Sequence, residues 1–162
     1  MSSEHSPFPT LAEELSSQVD ARIGRLRTMS AADADRPLAP GKWSPKQIVG
    51  HLIDSTANNH QRVVRAQEGA SLVFPAYAQE HWVASQAYHR RSWDDLTMFW
   101  HAYNRHLAHV IAQIPEGRRG VVCQIGANAP VTLGFLAYDY LVHLRHHLAQ
   151  IDGAGGKARQ AG

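Results

Sequence analysis

Apolar residues recur along the chain at steps of three and four, which is the spacing of one face of an α-helix. The first stripe consists of Leu11, Leu15, Val19, Ile23, Leu26 and Met29. The most regular stripe consists of Leu96, Phe99, Trp100, Tyr103, Leu107, Val110, Ile111 and Ile114. Each stripe predicts an amphipathic helix with one buried face.

A capping signal marks the start of the second helix. Ser44 suits the N-cap, Pro45 the first helical position, and Gln47 the third, which together predict a capping box. We expect this helix to run to about Gln67, where a Glu-Gly pair follows.

The third and fourth helices have weaker start signals. Ser92 and Asp95 repeat the capping-box spacing and place the start of the third helix. The fourth helix is expected from Thr132 to about Asp152.

Three segments interrupt the helical pattern. Residues 33–42 contain two prolines and a glycine and predict a loop. Residues 70–91 predict a long crossover connection with a short helix around 80–86. Residues 117–130 are irregular, and 121–125 within them could form a short strand or pack as extended chain.

Four helices with one apolar stripe each predict an all-α fold, a four-helix bundle. The long crossover between the second and third helices would let those two helices run parallel. The 162 residues suit a single domain. We assign residues 1–152 to this domain and 153–162, which are rich in Gly and Ala, to a flexible tail.

Composition excludes several classes of protein. Lys and Arg number 16 against 14 Asp and Glu, without a basic cluster, so we expect no nucleic-acid partner. No apolar window approaches the roughly 20 residues of a membrane-spanning helix. The single Cys123 cannot form an internal disulfide, which makes the cytoplasm the expected compartment.

The unusual feature of the composition is 11 histidines. His143 and His147 are four residues apart, so both rings lie on one face of the fourth helix and can bind one metal ion. The third ligand has to come from another helix, and His51 is the best candidate. Pairs with this spacing also arise by chance in a histidine-rich chain, and the alternative is a solvated helix edge.

Polar residues flank the three histidines on their helices. They are Asp54, Ser55, Asn58, Arg62, Tyr140 and Gln150. Asp54 is the candidate general base, although it lies to one side of His51. Tyr140 and Gln150 are candidates to orient a ligand ring, and Asn58 and Arg62 to bind polar groups of a cofactor or substrate. For Asp54 and Arg62 an exposed helix flank is an equally good interpretation.

Two segments resemble the DinB-like superfamily and, within it, the YfiT-type metal-dependent hydrolases. Residues 42–55, KWSPKQIVGHLIDS, resemble the start of the metal-bearing second helix of that family. Residues 143–151, HLRHHLAQI, resemble its last helix, and 74–77 with Trp82 resemble its crossover. The resemblance covers roughly residues 38–151, with the segments in the same order.

The resemblance implies a bundle with a long connection between its second and third helices. It also implies a divalent metal (nickel, zinc or iron) held by His51, His143 and His147, with His146 outside the ligand set. Homodimers are common in the family. Its characterised members are mostly S-transferases that use low-molecular-weight thiols such as bacillithiol or mycothiol, or maleylpyruvate isomerases.

These observations leave three functional hypotheses. The first is a thiol-dependent S-transferase whose metal activates the thiol for attack on a small electrophile. The second is a hydrolase of a small ester or amide through metal-bound hydroxide. The third is a non-catalytic metal-binding stress protein.

Overall fold

The computed structural model describes residues 3–160, with side chains as far as Gly153. Its helices are α1 (Phe8–Thr28), α2 (Ala31–Asp35), α3 (Pro45–Arg65), α4 (Gln79–Ser85), α5 (Trp93–Ala112) and α6 (Leu133–Gln160). Its strands are β1 (Ser71–Phe74), β2 (Val122–Ile125) and β3 (Val131–Thr132). Single 3₁₀ turns lie at Tyr88–Arg90 and Glu116–Arg118.

The first helix begins earlier than the apolar stripe predicts. The Phe8 backbone N–H donates to the Glu116 carboxylate (2.8 Å), and the Phe8 side chain is fully buried. The predicted loop at 33–42 was wrong at its start, where the short α2 forms. The Ser30 hydroxyl accepts from the Asp33 N–H (3.1 Å) and caps this helix.

The capping box at the start of α3 is confirmed. The Gln47 N–H donates to the Ser44 hydroxyl (3.3 Å), and the Ser44 N–H donates to the Gln47 side-chain carbonyl (3.0 Å). At α5 the Ser92 hydroxyl accepts from the Asp95 N–H (3.3 Å). Both helices therefore start where the sequence predicts.

Contacts between the long helices fix their relative directions. The ion pairs include Asp20–Arg105 and Arg27–Asp94 between α1 and α5, and Glu14–Arg145 and Arg22–Asp152 between α1 and α6. Helix α1 is therefore antiparallel to α5 and parallel to α6. Helix α3 is antiparallel to α6, because His51 contacts His147 whereas Thr56 bonds to Tyr140. Helices α3 and α5 thus run parallel, as the crossover predicts.

The segments that link the long helices form a three-stranded sheet in the order β1-β2-β3. Strand β1 follows α3 and pairs in parallel with β2, which follows α5; β3 is antiparallel to β2. The sequence predicted a possible strand only at 121–125. The other two strands, β1 and β3, span only four and two residues, which is too short to show the alternation of apolar and polar residues that marks a strand.

The core lies between the four long helices. Its largest fully buried side chains include Trp100, Phe8, Leu11, Leu15, Leu52, Leu96, Leu107, Leu141, Leu144 and Leu148. In the described part of the chain no helix has the length and apolarity to cross a bilayer. Helix α6 continues to Gln160, past the predicted end near Asp152, and apart from Gly153 the side chains of the predicted flexible tail, 153–162, lie outside the described residues.

Candidate metal centre

The three candidate histidines meet between α3 and α6. His51 lies two turns after the start of α3, while His143 and His147 lie one turn apart on α6. Because α3 and α6 are antiparallel neighbours, the first part of α3 faces the middle of α6. The fold therefore brings together the residues that the sequence predicted as ligands.

The Nε2 atoms of these histidines converge. His143 Nε2 is 3.2 Å from His51 Nε2 and 3.2 Å from His147 Nε2. One ligand nitrogen from each ring lies within 4.8 Å of the other two. Two nitrogens bound tetrahedrally at zinc distances would be about 3.3–3.4 Å apart. The spacing therefore fits a single cation with three imidazole ligands.

Protonation supports the same conclusion. The Gln150 side-chain carbonyl accepts from His147 Nδ1 (2.9 Å), which leaves a lone pair on His147 Nε2. His143 Nε2 holds either one proton or one in-plane lone pair, so it can satisfy only one of its two nitrogen neighbours by a hydrogen bond. A shared cation satisfies all three nitrogens at once.

All three rings are held neutral, which is the form that binds metal. Burial, together with the nearby His147 and His143, lowers the pKa of His51 to about 3. Burial lowers the pKa of His143 to about 4 and also lowers that of His147. The site therefore needs no proton release from its imidazoles near neutral pH.

Within the described residues no other group of histidines, cysteines or carboxylates has this geometry. His101 lies on α5, which carries further histidines. Its ring does not join such a group but donates to the Asp20 carboxylate (2.7 Å). His146 is exposed beside the site. Convergence between helices, and not spacing within one helix, distinguishes the three histidines.

Comparison with known proteins agrees with this geometry. The sequence model of the DinB superfamily matches residues 7–151. The chain belongs to the DinB superfamily. It also resembles the structure of YfiT from Bacillus subtilis, a probable metal-dependent hydrolase with an unusual four-helix bundle topology. The TM-score is 0.81 at 19% sequence identity, covering 98% of this chain and 90% of that one. No curated protein matches the sequence.

Two of the predicted flanking residues touch the rings of this DinB-superfamily site. Gln150 fixes the His147 ring through Nδ1, as described above. The Ser55 hydroxyl lies 3.5 Å from His143 Nδ1 and also accepts from the Asn59 amide (3.4 Å). Both contacts are of the kind that orients a metal-bound imidazole.

Tyr140 and Asn58 are placed elsewhere. The Tyr140 hydroxyl is 2.8 Å from the Thr56 hydroxyl and donates to the Asn104 side-chain carbonyl, inside the core. The Asn58 amide donates to the Asp54 backbone carbonyl (2.9 Å) on its own helix. The expectation that Tyr140 orients a ligand ring is not met, because its hydroxyl is used between α3, α5 and α6.

Asp54 joins α3 to the crossover. Its Oδ1 accepts from the Tyr88 hydroxyl (2.5 Å) and from the Gln86 amide (2.7 Å), and burial raises its pKa. None of its described contacts is with the three histidines. Tyr88 can approach α3 because Gly50 has no side chain: a Cβ there would lie 2.2 Å from the Tyr88 ring.

Trp43 is part of the site surroundings, although the sequence predicted no role for it there. Its ring lies 5.1 Å from the His51 ring, tilted by 41°. Trp43 and His147 also border an open cavity of about 670 Å³. Other residues at this cavity are Leu38, Lys42, Gln79, Glu80 and Gln150. The position of Trp43 immediately before the Ser44 cap was the available signal.

Proposed function

We propose that this chain is a metal-dependent enzyme that binds a divalent cation through His51, His143 and His147. The observation that carries the proposal is the convergence of three neutral imidazole nitrogens between α3 and α6. Nickel, zinc and iron are all compatible with imidazole ligands. The fold shared with YfiT, itself described as a probable metal-dependent hydrolase, supports a metal-dependent activity.

We further propose a thiol-dependent S-transferase as the specific activity. A cation on three neutral ligands keeps its full charge and lowers the pKa of a thiol or a water molecule bound to it. A thiol so activated needs no separate base. This suits a site whose buried carboxylate, Asp54, makes no described contact with the histidines: its Oδ1 accepts from Tyr88 and Gln86, and its Oδ2 is buried without a hydrogen-bond partner among the described residues.

The cavity beside His147 supports binding of a small molecule. Its volume of about 670 Å³ is within the range of ligand pockets. Trp43 offers an aromatic wall next to His51, and Gln150 and Lys42 offer polar groups. The protein's own residues would thus exclude water from one side of a substrate and hold its polar atoms on the other.

Hydrolysis of a small ester or amide is the second candidate. Glu80 borders the same cavity as His147 and is exposed, so its carboxylate could accept a proton from an attacking water. A hydrolase therefore predicts that Glu80→Gln removes most of the activity. A thiol transferase predicts little effect of that substitution.

The decisive experiment uses untagged protein with its metal content measured. The wild type is assayed with a chlorodinitrobenzene electrophile plus a panel of thiols, and with nitrophenyl esters without thiol. His143→Ala should lose both metal and activity, whereas His109→Ala should keep both. His109 is the matched control because it is an exposed histidine of α5 outside the group.

Each outcome selects among the hypotheses. Activity that requires an added thiol supports the transferase, and activity independent of thiol supports the hydrolase. Bound metal without turnover in either assay supports a metal-binding protein without catalysis. Equal metal content in His143→Ala and the wild type would falsify the three-histidine site.

A further inference from the structure

Arg62, on α3, has a buried donor without an acceptor. Its guanidinium carbon lies 5.7 Å from the centre of the Phe74 ring. Its Nε is buried, and no hydrogen-bond partner is within reach among the residues that the structure describes. A buried donor left unpaired destabilises a protein. The guanidinium therefore has the features of a binding group whose acceptor is a ligand.

Two polar side chains face this guanidinium from other elements. Burial lowers the Arg62 pKa, while the charge of Asp139 on α6 opposes that shift, and the Tyr77 side chain of the crossover also lies near the guanidinium. Asp139 makes no ion pair with Arg62 and acts on the guanidinium only at longer range. Arginine stays protonated in proteins. Arg62 is thus a cation that lacks a short-range counter-charge among the described residues.

The same side chains connect Arg62 to the three histidines. Asp139 lies one helical turn before His143 on α6, a rise of about 5–6 Å. Tyr77 lies close enough to Ser55 to influence its own pKa, and the Ser55 hydroxyl lies 3.5 Å from His143 Nδ1. Arg62 therefore lies on the side of α3 that faces α6, with Tyr77 and Ser55 between it and His143.

We propose that Arg62 binds the carboxylate of a small organic acid whose reactive end lies at the three histidines. The guanidinium fork matches the two oxygens of a carboxylate, and the Tyr77 hydroxyl is a further donor beside it. A singly charged group suits this position better than a phosphate, because Asp139 repels added negative charge. Only the placement of the reactive end rests on the proposed function.

Binding of hexanoate to metal-free protein, followed by NMR titration, tests the subsite separately from the metal. Arg62→Gln should weaken hexanoate binding at least tenfold. Arg65→Gln should leave it unchanged, because Arg65 is exposed and donates to the Gln61 side chain. Asp139→Asn should strengthen binding, since it removes the repulsion. Arg62→Met, which keeps a long side chain but removes the charge, provides a second variant if Arg62→Gln does not fold, and it should also weaken hexanoate binding.

The metal-loaded protein tests the link to the histidines. 6-Mercaptohexanoate should bind at least tenfold more tightly than 6-mercaptohexanol, and Arg62→Gln should abolish that difference while keeping its metal. Equal hexanoate binding by the wild type and a folded Arg62 variant would overturn the subsite, as would tighter binding of inorganic phosphate. Hexanoate binding that survives in His143→Ala supports the subsite even where the metal-dependent function fails.

Discussion

His51 and His143 are 92 positions apart in the chain, and their Nε2 atoms lie 3.2 Å apart. The local sequence around either residue does not produce this contact. The contact depends on the antiparallel packing of α3 and α6. The properties of the site are therefore coupled to the residues that hold these two helices and the crossover together.

Gln150 should strengthen metal binding without being a ligand. Its carbonyl accepts from His147 Nδ1 (2.9 Å) and so presents the Nε2 lone pair to the site. We expect Gln150→Ala to weaken metal binding by about 10–100-fold, measured by competition with a chelator. Gln150→Glu keeps an acceptor and should retain the affinity. Unchanged affinity in Gln150→Ala would show that the hydrogen bond does not orient the ring.

The metal-free protein should lose stability as the pH falls below about 6.5. The folded state holds His51 and His143 with pKa values of about 3 and 4, whereas the unfolded chain takes up protons near 6.5. The unfolded state then binds more protons, so the free energy of unfolding decreases from pH 7 to pH 5. Urea unfolding should show a smaller decrease for His51→Leu, and an equal decrease would contradict the lowered pKa.

Two glycines in helices should respond oppositely to alanine. At Gly50 a Cβ would lie 2.2 Å from the Tyr88 ring, so Gly50→Ala should destabilise the fold by about 1–3 kcal/mol through overpacking. At Gly24 nothing lies within 4 Å, so Gly24→Ala in α1 should stabilise by about 0.5–1 kcal/mol. Thermal or urea unfolding measures both. A stabilising Gly50→Ala would mean that the crossover packs differently.

Asp54 should act on stability more than on chemistry. Tyr88→Phe removes the hydroxyl that Asp54 accepts from (2.5 Å) and should cost about 1–3 kcal/mol of folding free energy. Combined with Asp54→Ala, the two losses should be less than additive, because both break one hydrogen bond. Metal content should stay unchanged in each variant. A loss of kcat in Asp54→Ala with unchanged stability would instead support a general base.

Much of this arrangement was predictable because it is encoded locally. The capping box at Ser44 and the apolar stripes fix helix starts and buried faces, and the four-residue step from His143 to His147 puts both rings on one face. The position of His51 followed from its face of α3. Spacing therefore selected this trio from 11 histidines, and the resemblance to the superfamily implied the same three residues.

The parts that were missed depend on contacts between distant segments. Tyr140 lies one turn before His143 on α6, so the sequence places it near the histidines. Its hydroxyl donates to Asn104 of α5, and the sequence does not specify which residues of α5 face α6. Asp54 lies beside His51 in sequence, yet Tyr88 and Gln86 of the crossover take its oxygen. The packing of an irregular crossover has no periodic signal.

The capping box of α3 has a consequence for how insertions and deletions should be tolerated. Successive helical residues are rotated by about 100°, so one residue added between Ser44 and His51 would turn the imidazole away from α6. The same insertion ahead of Ser44 falls in the loop after α2 and leaves that angle unchanged. Length variation among functional homologues should therefore be confined to the N-terminal side of this serine.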